Sequence, residues 1–181
     1  MIRLAKLSEI EEIIAITRAC AAKMISENIY QWNEQYPNYQ AFQKDVEREE
    51  LYVLTNKEFK TTVDETILGC ITISSEKDAE YDAVEWLTED GFQIYIHRLA
   101  IHPSFQHKGY AKQLMDYAEI LAKKQGAISV RLDTFSANKR NQRFYENRGY
   151  QRLGDIYFPR QSDLCFYCYE LVLKEITISG A

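Results

Sequence analysis

Residues 102–118 read HPSFQHKGYAKQLMDYA. Pro103 ends the extended element before it, because its ring fixes φ and it has no N–H to give to a ladder. A loop turning on Gly109 then runs into apolar positions at Leu114, Ala118 and Leu121, spaced for one face of a helix that Gly126 stops. The first turn of such a helix presents unpaired N–H groups and the positive end of its dipole. With His107, Lys108 and Lys112 alongside, the junction suits a phosphate group. It lacks the Gly-Lys-Ser/Thr ending of a nucleotide-triphosphate loop and the three glycines of a dinucleotide fingerprint, so a different phosphate ligand is called for.

Working outward, FQIYIHRLAIH (92–102) reads as a long strand before the loop, and AISVRLDTF (127–135) as a strand after the helix. ANKRNQRFYENRG is a helix stopped by Gly149, and YQRLGDIYF and LCFYCYELVL close the pattern as two strands. On the N-terminal side, residues 2–6 alternate as a strand. Ser8 and Glu11 read as a capping box for a helix striped by Ile10, Ile13, Ile14, Thr17 and Ala21, fading near Glu27. Pro37 and Asn38 break the chain and start a second helix running to about Glu50. LYVLT and TILGCITIS are strands joined by NKEFKTTVDE as a long hairpin loop; Glu76 to Gly91 is acidic and irregular. The order βααβββαβαββ implies an α/β (α+β) fold, a mixed central sheet of about seven strands flanked by four helices.

The chain has 181 residues, 46% of them apolar or aromatic, with three prolines and seven glycines. Length and the lack of any linker-like stretch favour a single domain over 1–181. The N-terminus has no basic start with an apolar signal core, and no run of eighteen apolar residues occurs, so a soluble, cytoplasmic protein with no membrane partner is expected. A net charge of −5 counts against a nucleic-acid partner.

Cysteines stand at 20, 70, 165 and 168. The last two are three apart in a strand and point to opposite faces, which suits buried thiols better than a shared metal. His97 and His102 are also an odd number apart, and His107 falls in a loop, so no metal site is expected.

In SANKRNQRFYENRGY, Asn138 stands seven residues before Tyr145, close to two helical turns, so both side chains share a face about 10 Å apart along the axis. The plainer account makes Asn138 a helix cap and Phe144 and Tyr145 core. The QHKGYA loop after one strand and NKRNQRFYENRGY after the next together resemble the GNAT superfamily of acyl-CoA-dependent N-acyltransferases, over nearly the whole chain. That resemblance implies acetyl transfer from acetyl-CoA, as co-substrate, to a primary amine of a small molecule or peptide by direct attack. It implies that the backbone of Leu99, Ala100 and Ile101 bonds the pantetheine arm, and that Gln106, His107, Lys108, Gly109, Tyr110, Ala111 and Lys112 surround the pyrophosphate. Asn138 would contact the pantetheine end, and an N–H near Ala100 the oxyanion. Tyr145 would stand beside the sulfur as general acid.

Acyl transfer needs a neutral amine, support for the oxyanion and a proton for the thiolate. A base is not obligatory for every acceptor. His97 is the candidate, its ordinary pKa lying near neutrality, against the plainer account of a histidine packed in its strand, with Glu85 of the acidic loop in reserve and as a contact for a cationic amine. The resemblance places the acceptor pocket at IYQWNEQYP, with Trp32 as a wall. A non-catalytic acyl-CoA sensor of the same fold is the alternative, and exposed strand edges are compatible with a homodimer.

Overall fold

The computed structural model describes residues 1–56, 65–159 and 161–173. The elements are β1 (Ile2–Leu4), α1 (Ile10–Ser26), α2 (Tyr39–Glu47), β2 (Leu51–Thr55), β3 (Ile67–Ser74), β4 (Gln93–Ile101), α3 (Tyr110–Gln125), β5 (Ser129–Phe135), α4 (Lys139–Glu146), β6 (Gln151–Ile156) and β7 (Phe166–Val172). Their order is the expected one. The seven strands form one sheet in the order β1-β2-β3-β4-β5-β7-β6, antiparallel throughout except for β4 beside β5. The expected NKEFKTTVDE hairpin loop falls mainly on 57–64, outside the described residues.

Alternation along the strands sorts side chains between two helical layers. On β2, Tyr52 and Leu54 face the layer of Leu114, Met115 and Ala118 from α3, while Leu51 and Val53 face Ile10, Ile13 and Phe42 from α1 and α2. The stripe expected on α1 is buried at all five positions. Its start differs from expectation. A 3₁₀ turn, Leu7–Glu9, precedes the helix, and the Glu9 carboxylate, not Glu11, reaches back to the Lys6 N–H at 2.8 Å while Arg3 clamps it at 2.7 Å. Asn38 caps α2 as expected, accepting from the Ala41 N–H at 3.0 Å. That helix ends at Glu47, three residues short of the expected end.

β4 contains the irregularity that shapes the molecule. Cys70 pairs with Ala100 and Thr72 with His97, so three steps on β4 oppose two on β3. One extra residue sits in the strand, and Arg98 takes it up with φ +51. Such a bulge bends its strand and inverts the in–out pattern beyond it. Ile94 and Ile96 thus face the α3 layer, and so does Ile101, an odd number of positions later. Past the bend β4 leaves β5, and the two are paired only along Gln93–Ile96 and Ser129–Leu132.

The acidic segment between β3 and β4 is bolted to the sheet by a buried ion pair. Arg131 on β5 and Glu170 on β7 have wholly buried side chains and meet at 3.0 Å. Arg131 also donates to the Thr88 carbonyl at 2.6 Å and lies under the Trp86 ring at 4.5 Å. Glu170 accepts from the Leu87 N–H at 2.6 Å. Charges this deep persist only when fully paired and hydrogen-bonded, which the loop's own backbone provides.

Cys20, Cys70 and Cys168 are buried and free, as expected. Cys165 precedes β7 and is partly exposed, because the strand starts one residue later and leaves it in the turn. Among the described residues no group of three potential metal ligands occurs, and no helix is long and apolar enough to cross a membrane.

Candidate active site

The wedge between the diverging halves of β4 and β5 opens into two adjoining cavities. The larger, about 280 Å³, runs from Cys20 and Met24 on α1 past Leu99–Ile101 to the start of α3 and the first turn of α4. The smaller, about 70 Å³, lies on the other side of Leu99 and Tyr145, under Trp32 and Tyr36 and against Asp78, His97 and Asp133. Gln31, Trp32, Leu99, Asn141 and Tyr145 line both.

Backbone geometry decides what the wedge offers. His102 N–H donates to the Leu68 carbonyl at 2.9 Å, so by alternation His102 and Ala100 turn their polar backbone groups toward β3 and Ile101 turns its own toward the wedge. The Ile101 carbonyl is already engaged there, accepting from Gln106 Nε2 at 3.0 Å and from Cys20 Sγ at 3.1 Å. A carbonyl has two lone pairs, so Ile101 has its N–H left to offer. The expected donor near Ala100 is therefore better sought at Leu99 or Ile101, since the Ala100 N–H faces the neighbouring strand.

The loop expected to hold phosphate is built by left-handed residues. His107 has φ +63 and Gly109 φ +82, and the latter lies immediately before α3. Lys23 of α1 donates to Gln106 at 2.8 Å, tying the loop to the helix across the cavity. Gln106, His107, Gly109, Tyr110, Ala111 and Lys112 all line the larger cavity. Lys108 does not; its ammonium sits over the Phe105 ring at 5.4 Å, drawn by the ring's negative face. Lys112 lines the cavity while its ammonium pairs with Asp116 at 2.7 Å.

Asn138 is cap and wall at once. Its Oδ1 accepts from the Asn141 N–H at 3.1 Å, its Nδ2 donates to Gln31 at 3.0 Å, and it lines the larger cavity. Tyr145, two turns on, is 5% exposed and packs against the rings of Phe144, Tyr150 and Tyr169 with centroids 5.3, 5.9 and 6.1 Å away. Burial first, then the nearby Asp133 carboxylate, pushes its phenol well above the ordinary value, so it keeps its proton at every working pH.

The smaller cavity revises the expected base. His97 lies in it, 3.7 Å from Asp78. Burial, reinforced by the Arg98 guanidinium, lowers its pKa to about 3. It is a neutral imidazole too weakly basic to retain a proton near pH 7, which argues against the base role expected of it. Glu85 is exposed and lines neither cavity; Asp78, from the same loop, does. Trp32 is 7% exposed and lines both cavities. Asp133 was not anticipated. It accepts a hydrogen bond from the Tyr81 hydroxyl at 2.6 Å, and burial raises its carboxyl to about 7. Arg98 was not anticipated either: it clamps Asp45 through Nε at 2.8 Å and a terminal nitrogen at 2.7 Å, and donates to Tyr36 at 3.0 Å.

A family model described as the acetyltransferase (GNAT) family matches residues 18–150. No curated protein matches by sequence. Among solved structures, the chain is similar to a candidate acetyltransferase from Staphylococcus aureus Mu50, at 28% identity and TM-score 0.71 over 96% of this chain and 99% of that one. It is similar to a GNAT-family acetyltransferase from Streptococcus agalactiae 2603, at 24% identity and TM-score 0.73 over 97% and 96%. A Salmonella typhimurium protein solved with its cofactor acetyl-CoA shares the fold at 18% identity and TM-score 0.65, over 100% of this chain and 98% of that one.

Proposed function

Because the chain belongs to the GNAT acetyltransferase family, we propose that it moves the acetyl group of acetyl-CoA to a primary amine by direct attack within one domain spanning 1–181. The observation that carries this reading is the pair of cavities meeting at Leu99 and Tyr145. The larger is long and mostly apolar along β4, and it ends at the freed amides before α3, a shape and chemistry suited to a pantetheine arm with a pyrophosphate at its end.

In this reading the loop amides from His107 to Lys112 hold the pyrophosphate, and the Ile101 N–H and Asn138 hold the arm. Leu99 lies where an oxyanion donor is needed. Tyr145 donates to the departing sulfur. An ordinary phenol near 10 and thiol near 8.5 already make full transfer uphill by about 2 kcal/mol. Burial of Tyr145 widens that gap, so the phenol acts by a hydrogen bond that tightens as the C–S bond breaks. Trp32 and Tyr36 wall the acceptor side.

Titrating the full chain with acetyl-CoA in a calorimeter, followed by product analysis with a panel of diamines, aminoglycosides and peptides, tests the reading. Binding with a defined stoichiometry and an acetylated product are expected. No heat with acetyl-CoA would remove the proposal, and binding without any acetylated product would leave a sensor in its place.

A further inference from the structure

The smaller cavity has an unbalanced charge. Three carboxylates stand in or against it, Asp45, Asp78 and Asp133, with one guanidinium, that of Arg98. Arg98 is already committed to Asp45 through two nitrogens and to Tyr36 through a third. Asp78 and Asp133 therefore face the cavity with no cation of their own in contact, apart from the electrically neutral His97 beside Asp78. Asp78 has 47% of its side chain exposed and is met by water, whereas Asp133 is largely shielded and held by one neutral hydroxyl, so Asp133 is the carboxylate whose charge a cationic ligand entering beside Asp78 would pair.

We propose that this cavity takes an alkylammonium acceptor between Asp78 and Asp133, that Asp133 is the catalytic residue receiving the ammonium proton, and that Tyr81 is the positioning residue that aims it. This rests on the reading that the adjoining cavity takes acetyl-CoA. The geometry is specific. Asp133 sits on β5 one residue beyond Leu132, where pairing with β4 ends, so the wedge that opens the larger cavity also exposes this carboxylate next to Tyr145 and Leu99. Tyr81 occupies one carboxylate oxygen and leaves the other with its lone pairs. Tyr81 is itself fixed, its carbonyl accepting from Trp86 Nε1 at 3.1 Å, and Trp86 is held against Arg131. The loop bolt thus reaches the acceptor site.

The step balances. The Asp133 carboxylate takes one proton from R–NH₃⁺, giving R–NH₂ and a neutral carboxyl. The amine nitrogen bonds to the thioester carbonyl carbon, and as the C–S bond breaks the sulfur is held by the Tyr145 hydrogen bond while the nitrogen's second proton passes by way of the phenol to the sulfur. The products are the amide and the free thiol, the phenol ends as it began, and Asp133 releases its proton to solvent. A base poised near neutrality serves this role where His97 cannot. The groups that set Asp133 are Tyr81, Asp78 and Glu80 from the loop and Arg98 from β4. Tyr36, Tyr145 on α4 and Cys168 on β7 are the other titratable groups that feel its charge.

The test uses the full chain, acetyl-CoA and two acceptors: 1,4-diaminobutane, charged at pH 7, and aniline, already neutral. Asp133→Asn is expected to lower the ratio of diamine to aniline turnover at least 100-fold, a ratio insensitive to the fraction of folded enzyme, and to abolish the acid limb of the diamine kcat/KM profile near pH 7. Tyr81→Phe removes a donor that favours the ionised carboxylate and should move that limb to higher pH, which a merely structural tyrosine would not do. An unchanged ratio in Asp133→Asn, or a limb that stays in place in both variants, overturns the assignment. Absence of acetyl-CoA binding by the unmodified chain overturns the underlying reading instead, and the calorimeter tells the two failures apart.

Discussion

Asp133 also makes a prediction that needs no substrate. Its carboxyl rises from an ordinary 3.8 to about 7 on folding, chiefly through burial, with Asp78 and Glu80 adding and Tyr81 and Arg98 opposing. A carboxyl raised in the native state binds its proton more tightly there than in the unfolded chain. Its contribution to stability is complete below about pH 4 and disappears as pH climbs through about 7. A rise of this size corresponds to about 4 kcal/mol lost between those limits, at 1.36 kcal/mol per pKa unit. Asp133→Asn keeps an acceptor for the Tyr81 hydroxyl and has no charge to bury. Its stability relative to the unmodified protein should therefore increase with pH, by about 3 kcal/mol between pH 4.5 and pH 8, the remainder being lost below pH 4.5. Urea unfolding of both proteins at half-unit pH intervals measures this directly, and the titrations of groups that do not feel the Asp133 charge cancel in the difference. Two curves that stay parallel within about 1 kcal/mol over this window would refute the assignment of a raised pKa to Asp133 and with it the electrostatic part of the acceptor argument.

Tyr145→Phe should lower turnover at least tenfold while leaving acetyl-CoA affinity within about threefold, checked by steady-state kinetics and calorimetry side by side. Gly109→Ala meets no atom within 4 Å but must hold φ +82, so a cost of about 1–2 kcal/mol is expected, read as a several-fold weaker affinity for coenzyme A. Gly69→Ala drives its Cβ into the Ala100 carbonyl on the neighbouring strand, and a loss of more than about 2 kcal/mol in urea unfolding is expected. Glu170→Gln leaves the buried Arg131 guanidinium with the exposed Asp90 carboxylate at 2.9 Å as its remaining counter-charge, costing about 3 kcal/mol by the same measurement.

The sequence was most legible where periodicity and punctuation coincide. Pro103, Gly109 and Gly126 mark the loop and both ends of α3, and the α1 stripe is buried as spaced. The larger cavity follows in part from that local reading, because the largest single share of its lining comes from one continuous stretch, Leu99 to Lys112. The smaller cavity was illegible for the opposite reason: Tyr36, Asp78, Arg98 and Asp133 come from four segments that only the closed sheet brings together. A faint signal existed in VRLDTF. Beside a parallel neighbour both faces of a strand are covered, so Arg131 and Asp133 on such a strand announce buried charge rather than a solvated edge. His97 misled because its ordinary pKa is near neutrality, while its burial depends on loop 75–92 closing over it. Ser8 and Glu11 misled because Arg3 on β1 recruits Glu9, a partnership between elements that no local motif encodes.

The parting of β4 from β5 leaves backbone hydrogen-bonding groups unmatched in the middle of a sheet, where most proteins have none. An edge at the rim is open to any passing strand, and such edges promote aggregation. Here the flanks of the opening are its own strands, joined again at Gln93–Ile96, so the slot admits something the width of a single extended thread and shuts out a folded neighbour. Ligand occupancy would then act like the missing strand of the sheet, and the protein's resistance to heat should rise with ligand concentration as a zipped seam does with each added tooth.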